Sequence, residues 1–443
     1  MSEKNLILLV IDCLRPDFLG KGFSPTIDKL SSEGVVFNNA FVNGPFSPAS
    51  YVSMLTSRSS LEFNSISKYP VQASSLSEEL NCAGYKTACF STNAWISPHF
   101  GYNVGFDHFE DFLEKRSDAK KKNIFGKFDR FVALNLGKES IISQIIKRVE
   151  HIKNLFKKIE RREAELVVKK MFDWIEQNKE SPFFIWSIFM DVHAPHFPPQ
   201  EFVTAVDKNI SEFSKKKVNA FFSYKLNYKE VEIAKKLYSA SLLYVDNQIN
   251  KFVEFLKSQG IYKNTILIIT ADHGYEFMEH TGLGNKAKMY DEMLHVPLIF
   301  VNAGKKVNDS LVSLKELPKT ILELLNLKSS NFGDRNIITA EEDEIIYSEC
   351  AYSDTRGPVY LGEEKKYEKN KIYSIRTRKW KYIKDFGKDT EELYDLENDP
   401  NEKINLYNEQ VLNKLRQILE NHISAQVNQK TDILADAISD INL

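Results

Sequence analysis

Residues Asn5–Ile11 read NLILLVI, and the next residue is Asp12. Leu6–Ile11 is apolar throughout, with no alternation between polar and apolar positions, which suits a strand covered on both faces. The run is far too short to cross a bilayer, and it lacks the longer apolar stretch and small-residue cleavage site of a secretory signal. It stops at Asp12 and passes into Leu14-Arg15-Pro16-Asp17. Similar short runs recur at Thr87–Ser91, Phe183–Met190, Thr265–Thr270 and Val296–Val301. Amphipathic stretches lie between them, the longest at Val231–Gln259, which has the length of a crossover helix. Alternation of this kind predicts an α/β protein with a mostly parallel sheet. No fixed-period repeat interrupts it.

The composition sets outer bounds. With 443 residues, 42% of them hydrophobic, the chain is long enough for one large domain and a smaller one. Fifty-nine basic against 61 acidic residues leave a net charge of −2, which argues against a protein that coats nucleic acid. Cys13, Cys82, Cys89 and Cys350 are too scattered for a disulfide framework or a CxxC zinc site, so reduced thiols and a cytoplasmic location are expected. No segment reaches membrane length. A catalytic domain is expected over 1–343, with a charge-dense helical insertion at 114–180 that mixes both signs. Shorter strand-like pieces at Tyr373–Arg378 and Trp380–Lys384, then a helix-like Glu409–Ala425, suggest an α+β subdomain over 344–427. Residues 428–443 read as a terminal helix or tail.

Ligands of open α/β sheets bind outside the carboxyl ends of the strands, so the residues that follow each apolar run are informative. The first run is followed by Asp12 and the second by Asn93. The third leads into Asp191-Val192-His193-Ala194-Pro195-His196, and the fourth into Asp272-His273-Gly274. Any one of these has an ordinary reading, since an Asp after a strand commonly caps a helix. Together they place carboxylates, imidazoles and an amide at four strand ends, although the chain has only nine histidines. Carboxylate with imidazole suits a divalent cation such as Mn²⁺, Zn²⁺ or Mg²⁺, and carboxylates also accept Ca²⁺.

These residues, with Ser24–Leu30, Glu33–Phe37, Ser47–Arg58, Glu279-His280, Lys286, Tyr290–Glu292, His295–Ile299 and Glu392–Pro400, run in an order that resembles the sulfatase family of the alkaline-phosphatase-like superfamily. The resemblance covers about residues 5–406. It implies an alkaline-phosphatase-like α/β/α sandwich with a mostly parallel central sheet and a smaller C-terminal α+β subdomain. It makes Asp12, Asp272 and His273 the metal ligands. His193 and Lys286 would hold the non-bridging oxygens of the ester, one of them protonating the leaving alcohol. Asn93 and His280 are further substrate-binding candidates. Cys13 falls where many members carry another acidic or amide ligand, and it is not counted as one here.

Aligning Leu55-Thr56-Ser57-Arg58 on the family's Leu-Thr-Gly-Arg puts Ser47 at the nucleophile position, with Ser50 the competing hydroxyl. Typical members carry Cys or Ser in C/S-x-P-x-R, which is converted to formylglycine. Here Ala49 replaces the proline and Tyr51 the arginine, so formylglycine is not expected and Ser47 stays a serine. The resemblance then implies a metal-dependent hydrolase of small-molecule or glycan sulfate or phosphate esters working through a covalent Ser47 intermediate. A phospho-group transferase, such as a phosphoglycerol transferase, or a non-catalytic binder of anionic glycans are the alternatives.

Overall fold

The computed structural model describes residues 3–63, 69–70, 73–112, 162–219, 226–333, 335–359 and 363–441. An eight-stranded sheet is built from β1 (Asn5–Ile11), β2 (Val35–Phe41), β3 (Lys86–Ser91), β4 (His108–Glu110), β5 (Phe183–Phe189), β6 (Thr265–Thr270), β9 (His295–Val301) and β10 (Lys306–Ser313). Its order is β10-β2-β9-β6-β1-β5-β3-β4, and β9 alone runs antiparallel to its neighbours. A two-stranded ribbon, β7 (Glu276–Phe277) with β8 (Leu283–Gly284), follows β6.

The opening apolar run is the centre of this sheet. β1 pairs in parallel with β5 on one side and β6 on the other, so Leu8 sits between Trp186 and Ile268. All seven residues of β1 and of β5 are buried, as a strand covered by helices on both faces must be. One group of helices, Pro25–Glu33, Glu163–Asn178 and Gln200–Val206, packs on the long helix Tyr228–Ser258, while Ser47–Thr56 packs with Leu76–Cys82 and Leu317–Leu324. Besides the three-residue β4, the strands of this sheet that the apolar-run reading passes over are β2 and β10. Both carry polar residues (Asn38, Asn39, Asn308 and Asp309) around an irregularity in their shared register, and β10 is an edge strand.

A second sheet, order β11-β12-β13-β14, is antiparallel throughout and comprises Ile346–Ala351, Lys371–Arg376, Trp380–Asp385 and Thr390–Asp395. It has its own core: Leu412, Leu415 and Leu419 of the helix Glu409–Ile441 pack against Ile375, Tyr382 and Leu393. That helix continues past residue 427 to Ile441. Of the expected insertion 114–180, residues 114–161 lie outside the described residues. Glu163–Asn178 is a helix packed on β3 and β5. Among the described residues no helix is long and apolar enough to cross a membrane.

One long-range cap ties the helix layer together. Asp246, buried on the helix Tyr228–Ser258, accepts the N–H groups of Thr26 and Ile27 at 3.0 and 2.8 Å, which start the helix Pro25–Glu33. Asp246→Ala leaves the buried Ile27 N–H and the half-buried Thr26 N–H without this partner, so a loss of about 1–3 kcal/mol is expected in urea unfolding. A change within experimental error would show that water replaces the carboxylate.

Candidate active site

The strands whose ends carry the candidate residues are neighbours in the sheet: β6, β1, β5 and β3, all parallel. Asp272 and His273, Asp12, His193 and Asn93 thus follow the same edge of four adjacent strands. This is where parallel topology gathers ligands. Ser47 arrives from another direction, as the first residue of the helix Ser47–Thr56.

Ser47 Oγ donates to Asp272 Oδ2 at 2.7 Å and lies 3.4 Å from Asp12 Oδ2. Asn93 Nδ2 bridges the two partners, 2.9 Å from Ser47 Oγ and 2.8 Å from Asp12 Oδ2, while its own carbonyl accepts Trp95 N–H. His273 Nδ1 lies 2.8 Å from the Gly274 carbonyl, which fixes the tautomer with the proton on Nδ1 and leaves the Nε2 lone pair facing the carboxylates. That Nε2 is 3.5 Å from Asp272 Oδ2 and 3.9 Å from Asp12 Oδ1. Asp12, Asp272 and His273 are all 0% exposed. Burial, reinforced by Asp12, pushes the Asp272 carboxyl up to about 7.

Asp12 Oδ1 and His273 Nε2 are buried and have no hydrogen-bond partner among the described residues. Two carboxylates and a lone pair converging on one spot, with ligand atoms within 4.8 Å of one another, fit a divalent cation. Cys13 and His193 form a second such group with Asp12. Cys13 is fully buried with φ +67°, and its sulfur is 3.7 Å from His273 Nδ1. The sequence reading had set Cys13 aside; its place directly after Asp12 was the available signal.

Other candidates are placed differently. Ser50, the competing hydroxyl, is buried without contact to the carboxylates. Tyr51, where the family motif has arginine, is packed edge-on to Trp186 with centroids 5.3 Å apart. Burial, with Asp272 and Asp12 near it, pushes its phenol well above the usual range, so it brings no charge to the site. Asp191, one of the strand-end carboxylates, accepts Glu163 and Ala164 N–H and caps their helix. His280 is engaged away from the cluster. Its Nδ1 meets Glu292 at 2.6 Å, its Nε2 the Glu402 carbonyl at 2.8 Å, and its ring stacks on Tyr290. Burial opposes its charge, but these acceptors outweigh burial and raise its pKa. Lys286 Nζ donates to the Thr355 carbonyl at 3.5 Å, with no hydrogen bond to the Asp12–Asp272 cluster among the described residues.

A hydroxyl is thus held between two buried carboxylates at the carboxyl edge of a parallel sheet on an α/β scaffold. The chain belongs to the sulfatase family, whose model matches residues 4–327, and it is an ester hydrolase of that family. The model described as N-sulphoglucosamine sulphohydrolase, C-terminal, matches residues 279–429. Similar over nearly its whole length is an arylsulfatase of Clostridium perfringens, 23% identical over 97% of this chain and 96% of that protein. The arylsulfatase K of Bos taurus is 29% identical over 41% of this chain and 35% of its own length. Among solved structures, the phosphonate monoester hydrolase of Agrobacterium radiobacter aligns with a TM-score of 0.70 at 16% identity, covering 96% of both chains. BT4656, solved in complex with its substrate D-glucosamine-2-N,6-O-disulfate, aligns with a TM-score of 0.68 at 16% identity over 97% of this chain and 99% of that one.

Proposed function

We propose that this chain hydrolyses sulfate or phosphate esters, phosphonate esters included, with the unmodified hydroxyl of Ser47 as nucleophile. The observation that carries this reading is the Ser47 hydroxyl itself, 2.7 Å from Asp272, 2.9 Å from Asn93 and on the rim of the partnerless Asp12 and His273 atoms. Asp12, Asp272 and His273 would hold a divalent cation of the Ca²⁺, Mn²⁺, Zn²⁺ or Mg²⁺ class. Such a cation would supply positive charge against the charge that develops on the ester and on the serine oxygen.

The chain's own groups do the rest. Asn93 donates to Ser47 Oγ and aims its lone pairs, and the N-terminus of the helix Ser47–Thr56 favours negative charge at that oxygen. His193 and Lys286 hold the non-bridging oxygens, and one of them protonates the departing alcohol. Attack of Ser47 on sulfur or phosphorus, its hydroxyl proton passing to Asp272 Oδ2, forms the serine ester as the bond to the alcohol breaks. A hydrated aldehyde could expel the anion by breaking its own C–O bond. A serine ester cannot, so water must attack at sulfur or phosphorus and return the serine hydroxyl. Sulfated sugars, the class found in BT4656, and phosphonate monoesters, the class of the Agrobacterium enzyme, are the substrates to try first. A cytoplasmic location fits the four free cysteines.

A cation-supplemented panel of aryl sulfate, phosphate monoester, phosphate diester and phosphonate ester tests the reading, and turnover of at least one class is expected. Mass analysis of the peptide that holds Ser47 is expected to give the mass of unmodified serine. Formylglycine at position 47 would restore the aldehyde mechanism and contradict this one.

A further inference from the structure

Lys286 sits on the loop between β8 and β9, and that loop is gripped by the C-terminal subdomain. Ala287, the next residue, is fully buried. Its N–H donates to the Arg356 carbonyl at 2.7 Å. Its own carbonyl accepts Arg356 Nε at 3.1 Å and also Arg356 Nη2. A single arginine therefore closes on both polar groups of the peptide next to the lysine. The remaining guanidinium nitrogen, Nη1, donates to Asp385 Oδ2 at 2.7 Å on β13. Asp385 is held in turn by the Tyr352 hydroxyl and by Lys388 N–H at 3.1 Å, and the guanidinium lies 4.6 Å from the Tyr352 ring centroid.

Arg356 adopts φ +57°, a conformation that residues with a Cβ rarely take and that persists where the surroundings over-determine it. The neighbouring Thr355 presents the carbonyl that accepts Lys286 Nζ. The backbone after Lys286 and the tip of its side chain are thus both set by the short segment Ser353–Gly357. The ammonium makes no other hydrogen bond among the described residues, and the long stem would otherwise sample many rotamers.

We propose that Arg356 is a positioning residue for Lys286, holding the ammonium where the anionic ester arrives. This rests on the reading of Lys286 as an ester-binding group. The planar guanidinium is what the role requires, because it donates to Ala287 on one edge and to Asp385 on another at the same time. In this arrangement the C-terminal subdomain acts in the reaction through the catalytic loop, without touching the ester.

Truncation at 356 enlarges an existing cavity of about 510 Å³ bordered by Lys288, Tyr290, Lys388, Glu392 and Tyr394, and leaves Asp385 the Tyr352 hydroxyl and Lys388 N–H as partners. The test is a double-mutant cycle of Arg356→Ala and Lys286→Ala on the full chain, read as kcat/KM on the best substrate of the panel. Arg356→Ala is expected to cost about 10- to 100-fold in the presence of Lys286. In the Lys286→Ala background it is expected to cost almost nothing. An equal loss in both backgrounds would overturn the proposal, since a merely structural arginine acts regardless of the lysine; so would unchanged activity of Arg356→Ala. If Arg356→Ala unfolds in thermal melts, Asp385→Asn, which loosens the arginine without removing it, replaces it in the same cycle with a smaller expected loss. Full activity of Lys286→Ala would instead remove the reading on which the proposal stands.

Discussion

Ser47→Ala is expected to lower kcat by at least about 10³-fold while the protein still folds and still binds its divalent cation. Ser47 Oγ is the hydroxyl that reaches Asp272 and Asn93, at 2.7 and 2.9 Å, whereas Ser50, three residues on, makes no such contact. The proposed cation ligands are Asp12, Asp272 and His273, none of which the substitution removes. Calorimetric titration with Mn²⁺ or Ca²⁺ should therefore give binding in the variant, and a coupled assay should give no turnover. Activity near wild type would move the nucleophile elsewhere. Loss of both binding and activity would mean that the serine oxygen is needed to hold the cation.

Removal of divalent cations by a chelator is expected to abolish turnover and to leave a protein whose stability depends on pH in an unusual direction. Asp272 has an ordinary carboxyl pKa of 3.8 when unfolded and about 7 when buried beside Asp12. Between those values the folded state binds more protons than the unfolded one. Stability from this group is fully present below pH 4 and is lost as pH rises through about 7. A shift of that size corresponds to on the order of 4 kcal/mol. Asp272→Asn is expected to flatten this slope in melts recorded between pH 5 and 8. Adding cation should restore stability at the high-pH end, by about 2.7 kcal/mol at a hundred times its Kd. A chelated wild-type protein whose melting is independent of pH across that window would contradict the buried carboxylate pair.

The centre of the fold could be read from the chain because β1, β5 and β6 are dominated by apolar residues with no alternation, a pattern that suits a strand covered on both faces. The edge could not. β10 reads KVNDSLVS and β14 reads TEELYD, and one-sided strands of this kind do not stand out from loop sequence. The candidate site was legible to the extent that it lies at strand ends, which is where Asp12, Asn93, Asp272 and His273 stand. The strand-end rule does not separate a ligand from a cap. Asp191 occupies an equivalent position and spends both oxygens on helix N–H groups. Nor does it report contacts made across the subdomains. His280 is tied to Glu402, which is 122 residues away, and Lys286 to Thr355, which is 69 residues away, and no local pattern encodes either pairing.

In the proposed mechanism Ser47, as an unmodified serine, carries the transferred group. The direct measurement is mass spectrometry of the Ser47 peptide from enzyme quenched in acid during turnover of its best substrate. A fraction of that peptide is expected to be heavier by one sulfuryl, phosphoryl or phosphonyl group attached at Ser47, and this adduct is expected to be absent when substrate is omitted. The same adduct on another residue, or formylglycine at position 47, would contradict it.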